Sequence, residues 1–288
     1  DAEDWVRKIE TKQDTGSVFS PKEAKAMTVA YLLNRYLVEV TPHKKSVRFE
    51  KNCIGRLLKC DFANRKLNQI KQIDIQAWRD ARLKQITSQS VGREMTVISA
   101  VFSHAMSEWQ MPFLQNPVKL VKRPSNSGKF RNQRFTDEQI EAILKASNWD
   151  EKVQPKTALD HFPWVFIIAI ESAMRTGELA GLKVADFFPN ERYVCLRDTK
   201  NGDDRNVPLT SKAVKYLTFI TKNKKPTDRI FQMTAGTIGV YFRETLKIAK
   251  LSKEDGYDFH FHDTRHEGTT RLSEKLPNTL ELGAVTGH

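Results

Sequence analysis

Cysteine is scarce in this chain. Cys53, Cys60 and Cys195 are the three among 288 residues. They form an odd set without metal-ligand spacing, which excludes a disulfide framework or a cysteine zinc site and fits a reducing cytoplasm. Long apolar runs are also missing. The longest, Trp164 to Ile170, is far too short to span a bilayer, so no membrane partner is expected. No signal peptide opens the sequence. No internal repeat and no low-complexity tract occurs. Acid is in short supply: 35 Asp and Glu stand against 47 Lys and Arg, for a formal net charge of +12 and a pI near 9.5. A surplus of that size points to a polyanion, most often nucleic acid. The chain opens on Asp1 without a methionine and stops at His288, and both ends read as cut.

What is present divides into segments. Residues 1–26 are polar and helix-like around Trp5, and read as the end of something upstream. Residues 27–112 carry four amphipathic helical patterns: Val29 to Val40, Ser46 to Leu58, Ile73 to Ile86, and a stripe of Met95, Ile98, Val101, Phe102, Ala105 and Trp109. Together they predict a small bundle. Residues 113–134 have prolines, a glycine and six cations: Lys119, Lys122, Arg123, Lys129, Arg131 and Arg134. Such a stretch reads as an extended basic linker able to lie along a phosphate backbone. A second domain covers 135–288. It opens with a "TDEQ" capping box at Thr136. A helix that is apolar nearly all round follows and is expected to end at Gly177, with another starting near Glu178. Residues 192–210 alternate like strands about an Asn201-Gly202 turn, predicting a β-hairpin. Helices are expected at about 211–222, 235–249, 264–275 and 279–285. The fold class is therefore mainly α with a small antiparallel sheet, a helical domain followed by an α+β one.

The stretch "HFHDTRHEGTTRL" (260–272) packs three histidines and two arginines into thirteen residues. Read as a zinc motif it is H-D-x-x-H, which needs His262 and His266 on one helix face. However, "TRHE" is itself a capping box. It sets the helix start at Thr264 or Asp263, leaves His262 ahead of the cap, and parts the two histidines. The same helix start offers unpaired N–H groups beside His262 and Arg265, a good place for a phosphate. Arg175 closes a buried helix, where its charge needs a carboxylate or an anion, and Glu178 is a candidate partner. Lys200 occupies the hairpin tip, and His288 follows Gly287.

The order of these pieces is more specific than any one of them. Arg in "RTGEL", Lys in a hairpin turn, His-x-x-Arg at a helix start and a later Gly-His resemble the tyrosine recombinase (phage integrase) family from about Met27 to His288. The resemblance implies a helical core-binding domain and a catalytic domain that clamp double-stranded DNA from opposite sides. It implies that Arg175 and Arg265 hold the non-bridging oxygens of the scissile phosphate, and that Lys200 protonates the departing 5′ oxygen. His262 would assist proton transfer, His288 would brace the phosphate, and Glu178 would support Arg175. The chemistry runs through a 3′-phosphotyrosine and needs no metal, nucleotide or other cofactor. No P-loop and no acidic metal cluster appears in the sequence.

Two features depart from the family pattern. Its nucleophilic tyrosine lies shortly past the position of His288, so none of this chain's tyrosines takes that place; Tyr257 reads as a loop residue. Residues 1–288 are therefore expected to bind DNA but not to cleave it. In "AVTGH", valine-threonine stands where leucine more often precedes the Gly-His. A homo-tetramer on attachment-type sites, with possible accessory DNA-bending or directionality proteins, is the implied assembly. A type IB topoisomerase-like enzyme, a non-cleaving DNA-binding regulator and a zinc hydrolase on His262 and His266 are the competing readings.

Overall fold

A computed structural model describes residues 27–111, 116–125, 133–197, 204–276 and 278–287. The expected helix around Trp5, the linker cations Lys129 and Arg131, the hairpin tip with Lys200, Asn201 and Gly202, and His288 lie outside the described residues. The chain divides into two compact units, with the boundary between residues 130 and 131.

The first unit is a helical bundle of α1 (Val29–Glu39), α2 (Val47–Leu57), α3 (Gln72–Leu83) and α4 (Ser88–Ser107). Each helix forms where the apolar spacing predicts one. Val29, Leu32, Leu33 and Tyr36 make the buried face of α1, and the Thr28 hydroxyl caps it by accepting from the Tyr31 N–H. Val91, Met95, Ile98, Val101, Phe102 and Ala105 recur at helical spacing along α4 and are buried. Trp109, just past its end, joins the same core. One carboxylate inside this bundle ties three helices together. Glu94 of α4 is buried and accepts from Arg56 of α2 at 2.7 Å and from Arg82 of α3 at 2.9 Å.

The stretch expected as a basic strap begins differently. Residues Pro117–Leu120 form a short 3₁₀ turn, and Val118 and Val121 sink into the bundle core. Asn116 Nδ2 donates to the Ser99 carbonyl at 2.9 Å, Gln72 Nε2 to the Leu120 carbonyl at 2.8 Å, and Arg79 to the Lys122 carbonyl at 2.7 Å. The stretch that resembles a loose connector is here held to the bundle by bonds in both directions, its Asn116 side chain to a bundle carbonyl and bundle side chains to its own carbonyls. Lys119, Lys122 and Arg123 remain exposed, with Arg123 donating to Thr96 Oγ1 at 2.9 Å.

The second unit contains α5 (Asp137–Ala146), α6 (Ala158–Ser172), α7 (Thr176–Gly181), strands β1 (Phe187–Phe188), β2 (Tyr193–Leu196) and β3 (Arg205–Pro208), then α8 (Ser211–Thr221), α9 (Ala235–Ile248), α10 (Asp263–Ser273) and α11 (Thr279–Thr286). The capping box at Thr136 forms as read: its hydroxyl accepts from Gln139 N–H, and the Gln139 side chain accepts from Thr136 N–H at 3.0 Å. The three strands pair antiparallel in chain order, with Val194 opposite Val207 and Leu196 opposite Arg205. Helix α6 is buried along nearly its whole length and forms the centre of the unit.

Two expectations about this unit are corrected. Helix α6 ends at Ser172, with Ala173 in the left-handed region at φ 51°, and not at Gly177. The reason is tertiary. Gly268 of α10 lies against the Ile170 carbonyl and Ala173, and Arg265 draws off the Ala173 carbonyl. The "TRHE" capping box does not form either. Thr264 Oγ1 donates to the Phe261 carbonyl at 2.7 Å, while Asp263 accepts from His260 N–H at 2.7 Å. Glu267, which would complete the box, is buried and bound instead to Arg134 and Arg271.

Helix α6 also carries an unusual titratable group. His161 is fully buried, and neither ring nitrogen has a hydrogen-bond partner. Burial, with the Lys224 ammonium adding to it, pushes the imidazole down to about 4 from an ordinary 6.5. The unfolded chain therefore takes up the proton first as pH falls. The stability due to neutral His161 is complete above pH 6.5 and is lost between 6.5 and about 4, to a total of about 3 kcal/mol. Denaturant melts at pH 7.5 and 4.5 should show His161→Leu losing about 2.5 kcal/mol less than the unaltered protein on acidification, most of that total. Equal losses would remove His161 as the cause.

Candidate active site

The buried end of α6, the start of α7, the inner strand face of β3, the start of α10 and the end of α11 converge on one cluster. Arg175 precedes the first turn of α7 with extended backbone. Its backbone N–H and its guanidinium both bind Glu178, at 2.8 and 2.9 Å. Glu178 also accepts from Arg205 of β3 at 2.9 Å. Arg265 stands on the first turn of α10 and is only 3% exposed. It donates to the Ala173 carbonyl at 2.6 Å and to the Thr286 carbonyl at 2.5 Å.

Electrostatics decides what this cluster can hold. Arg175 and Arg205 both bind the Glu178 carboxylate, and Arg265 lies close enough to feel all three charges. Burial, with Arg175 and Arg205 close by, pushes Arg265 down to about 10, against the attraction of Glu178. The charge is still present at neutral pH. Positive charge held in excess in a partly desolvated place favours an incoming anion, and planar guanidinium groups match the oxygens of phosphate. Arg175 is the open member. Its side chain is 33% exposed, and it lines a cleft of about 740 Å³ together with Lys183, Cys195 and Arg197.

His262 sits immediately before α10, in helical backbone geometry. Burial holds its imidazole below the usual histidine range, with His266 and Arg265 adding to the effect. A neutral imidazole beside the arginines can accept a proton at physiological pH. The expectation that His262 and His266 part company is overturned. Because His262 already has αR backbone, the two rings lie one turn apart, edge to face, with centroids at 5.2 Å. No group of three His, Cys, Asp or Glu arranged to hold a metal ion occurs among the described residues.

The sequence-predicted residues from Arg134 onward thus fall into three sets. Arg175, Glu178, Arg265 and His262 come together. Arg134, read as a linker cation for DNA, is bound to Glu267 of α10 at 3.1 Å. Lys200 and His288 lie outside the described residues. Tyr257 packs against the core of the second unit, stacked on Phe259 with centroids 5.5 Å apart. Arg205 was missed. Its signal was the strand alternation itself: it shares a face with buried Val207, and an arginine on an inward face demands a carboxylate.

Comparison with known proteins agrees with this geometry. Residues 133–288 match the model of the phage integrase family. An integrase/recombinase of Haemophilus influenzae is 33% identical over the whole of this chain and 76% of its own length. A shufflon-specific DNA recombinase of Escherichia coli is 31% identical over 93% of this chain and 68% of its own length. The chain belongs to the phage integrase family, the tyrosine recombinases. The fold is also that of a Tn1549 transposon integrase solved with transposon right-end DNA (TM-score 0.72, 19% identity, 91% of each chain). A lambda integrase tetramer solved on a Holliday junction matches with a TM-score of 0.70 at 18% identity, over 98% of this chain and 86% of that one. No helix among the described residues is long and apolar enough to cross a membrane.

Proposed function

We propose that this chain is the core-binding and catalytic part of a site-specific DNA recombinase that cuts and rejoins double-stranded DNA through a 3′-phosphotyrosine. The observation that carries the proposal is the meeting of Arg175, at the start of α7, with His262 and Arg265, at the start of α10, in a site with surplus positive charge. Arg175 and Arg265 bind the non-bridging oxygens and stabilise the charge that builds on them in the transition state. A tyrosine oxygen attacks phosphorus, the bond to the 5′ oxygen breaks, and Lys200 supplies the proton to the leaving oxygen. His262 manages the proton on the tyrosine. His288 supports the phosphate. No metal or nucleotide is required, because the phosphotyrosine keeps the energy of the broken bond. Exposed Lys119, Lys122 and Arg123 contribute salt-dependent affinity for the backbone, as do Lys129 and Arg131. The working assembly is four copies on a pair of attachment-type sites, in the cytoplasm of the host.

The test is covalent capture. The protein encoded by the full gene is mixed with DNA flanking that gene in EDTA, quenched with detergent and resolved by size. An adduct at one DNA position, attached through a tyrosine beyond His288, is expected; the polypeptide of residues 1–288 alone should bind the same DNA and form none. Tight binding with no adduct from the full-length protein would instead favour a DNA-binding regulator. Relaxation of any plasmid without sequence preference would favour a topoisomerase.

A further inference from the structure

The C-terminal end of α11 is closed by arginines. A helix ends on carbonyls that have no partner within the helix and that carry negative partial charge. Here three successive carbonyls are taken by three guanidinium groups from three different segments. Val285 accepts from Arg205 at 3.3 Å, Thr286 from Arg265 at 2.5 Å, and Gly287 from Arg175 at 3.0 Å. Two of these are the arginines assigned to the phosphate. The third, Arg205, faces both ways, giving one nitrogen to Val285 and another to Glu178, the carboxylate that orients Arg175.

Arg205 is held tightly in that pose. Its Nε is buried and has no hydrogen-bond partner, an unfavourable state accepted while both terminal nitrogens are engaged. The backbone next to it is shaped to match. Gly287 has φ of 71°, and a Cβ at that position would fall on the Arg205 guanidinium. Glycine suits the left-handed backbone at 287 and leaves room for Arg205 in this pose.

We propose that Arg205 is a positioning residue of the site: it fastens Glu178, and through it Arg175, to the carbonyl end of α11. One side chain then sets the phosphate-binding arginines and the start of the Gly-His segment in a common frame. Its role in cleavage rests on the recombinase reading. Its role as a clamp does not.

Two measurements on full-length protein separate these levels. The first follows amide hydrogen exchange in the free protein. Arg205→Met should speed exchange across residues 279–287 by about tenfold while the other helices of the second unit keep their protection. Unchanged exchange there would overturn the clamp. The second is single-turnover adduct formation at saturating DNA. Arg205→Met should slow it about 100-fold, the scale of a misplaced catalytic group, with DNA affinity kept within about threefold of the unaltered protein. Arg205→Lys keeps the charge but cannot span Glu178 and Val285 together, so it should recover only part of the rate. Combining Arg205→Met with Glu178→Gln should cost no more than the worse single change, because both act through Arg175. Multiplying penalties, or an unslowed Arg205→Met, would overturn the positioning role. Absence of adduct from the unaltered protein would overturn the recombinase reading and the cleavage role with it, and the exchange result would still decide the clamp.

Discussion

Replacing Arg265 with alanine is expected to abolish adduct formation, by about 10³-fold or more, while the affinity for DNA stays within a few-fold of the unaltered protein. The asymmetry follows from where Arg265 sits. It is almost wholly buried at the head of α10, so it adds little to the exposed basic surface that gathers DNA. Yet its charge is kept inside at a cost, visible in the depression of its guanidinium to about 10 by burial and by Arg175. That cost is offset only when an anion arrives, and the demand is greatest where negative charge builds up in the transition state. Alanine also removes the Arg265 donor from the carbonyls of Ala173 and Thr286, so a melting curve must accompany the assay. Arg265→Lys, which keeps the charge and one donor, should melt closer to the unaltered protein and still cleave poorly, since one ammonium cannot replace a two-pronged grip. Cleavage and binding falling in parallel would argue that Arg265 serves affinity and not the reaction.

The second large effect is expected at a residue with no chemistry of its own. Gly268 faces α6 one turn after Arg265. A Cβ there would land on the Ile170 carbonyl, and Ala173 Cα and Cβ would lie 3.2 Å away. The Ile170 carbonyl and Ala173 Cα are backbone at the end of the most buried helix, Ala173 Cβ is fixed to that backbone, and none of them can swing aside. Gly268→Ala should therefore destabilise the second unit by about 1–3 kcal/mol, the usual range for overpacking, and lower its melting temperature by about 5 °C. Cleavage should fall further than the stability loss explains, because lifting α10 from α6 pulls Arg265 from the Ala173 carbonyl. Gly239→Ala in α9 is the control. Its Cβ would meet nothing nearer than the Arg243 side chain at 3.7 Å, so it should be neutral or slightly stabilising. If both alanines behave alike, close approach at Gly268 is not what holds α10 in place.

These two positions also show what the sequence could and could not reveal. The bundle of the first unit was legible because its helices obey one local rule, apolar residues at helical spacing, and Val29 to Tyr36 satisfy it without help from elsewhere. The capping box at Thr136 was legible for the same reason: both of its bonds span three residues. The identical pattern at Thr264 misled, because Glu267 is claimed by Arg134, 133 positions away, and Thr264 by Phe261. Similarly, the break after α6 falls at Ala173 through contacts with α10, where local sequence favoured Gly177. Arg175, Glu178, His262 and Arg265 were found because they stand in motifs with a characteristic order. Arg205 stands in none. Its partners lie 27 and 80 residues off, and only the fold brings them together.

The pairing of Arg134 with Glu267 bears on how the protein can be dissected. The capping box invites a cut just before Thr136, with the second unit expressed from there. Such a piece would lack Phe135, which belongs to the buried core, and Arg134, one of the two arginines on the Glu267 carboxylate. It would begin with its site helix already loosened, and its failings would be mistaken for those of an isolated domain. A piece that begins ahead of Gln133 keeps both residues, and only such a piece can report what the second unit does without the first.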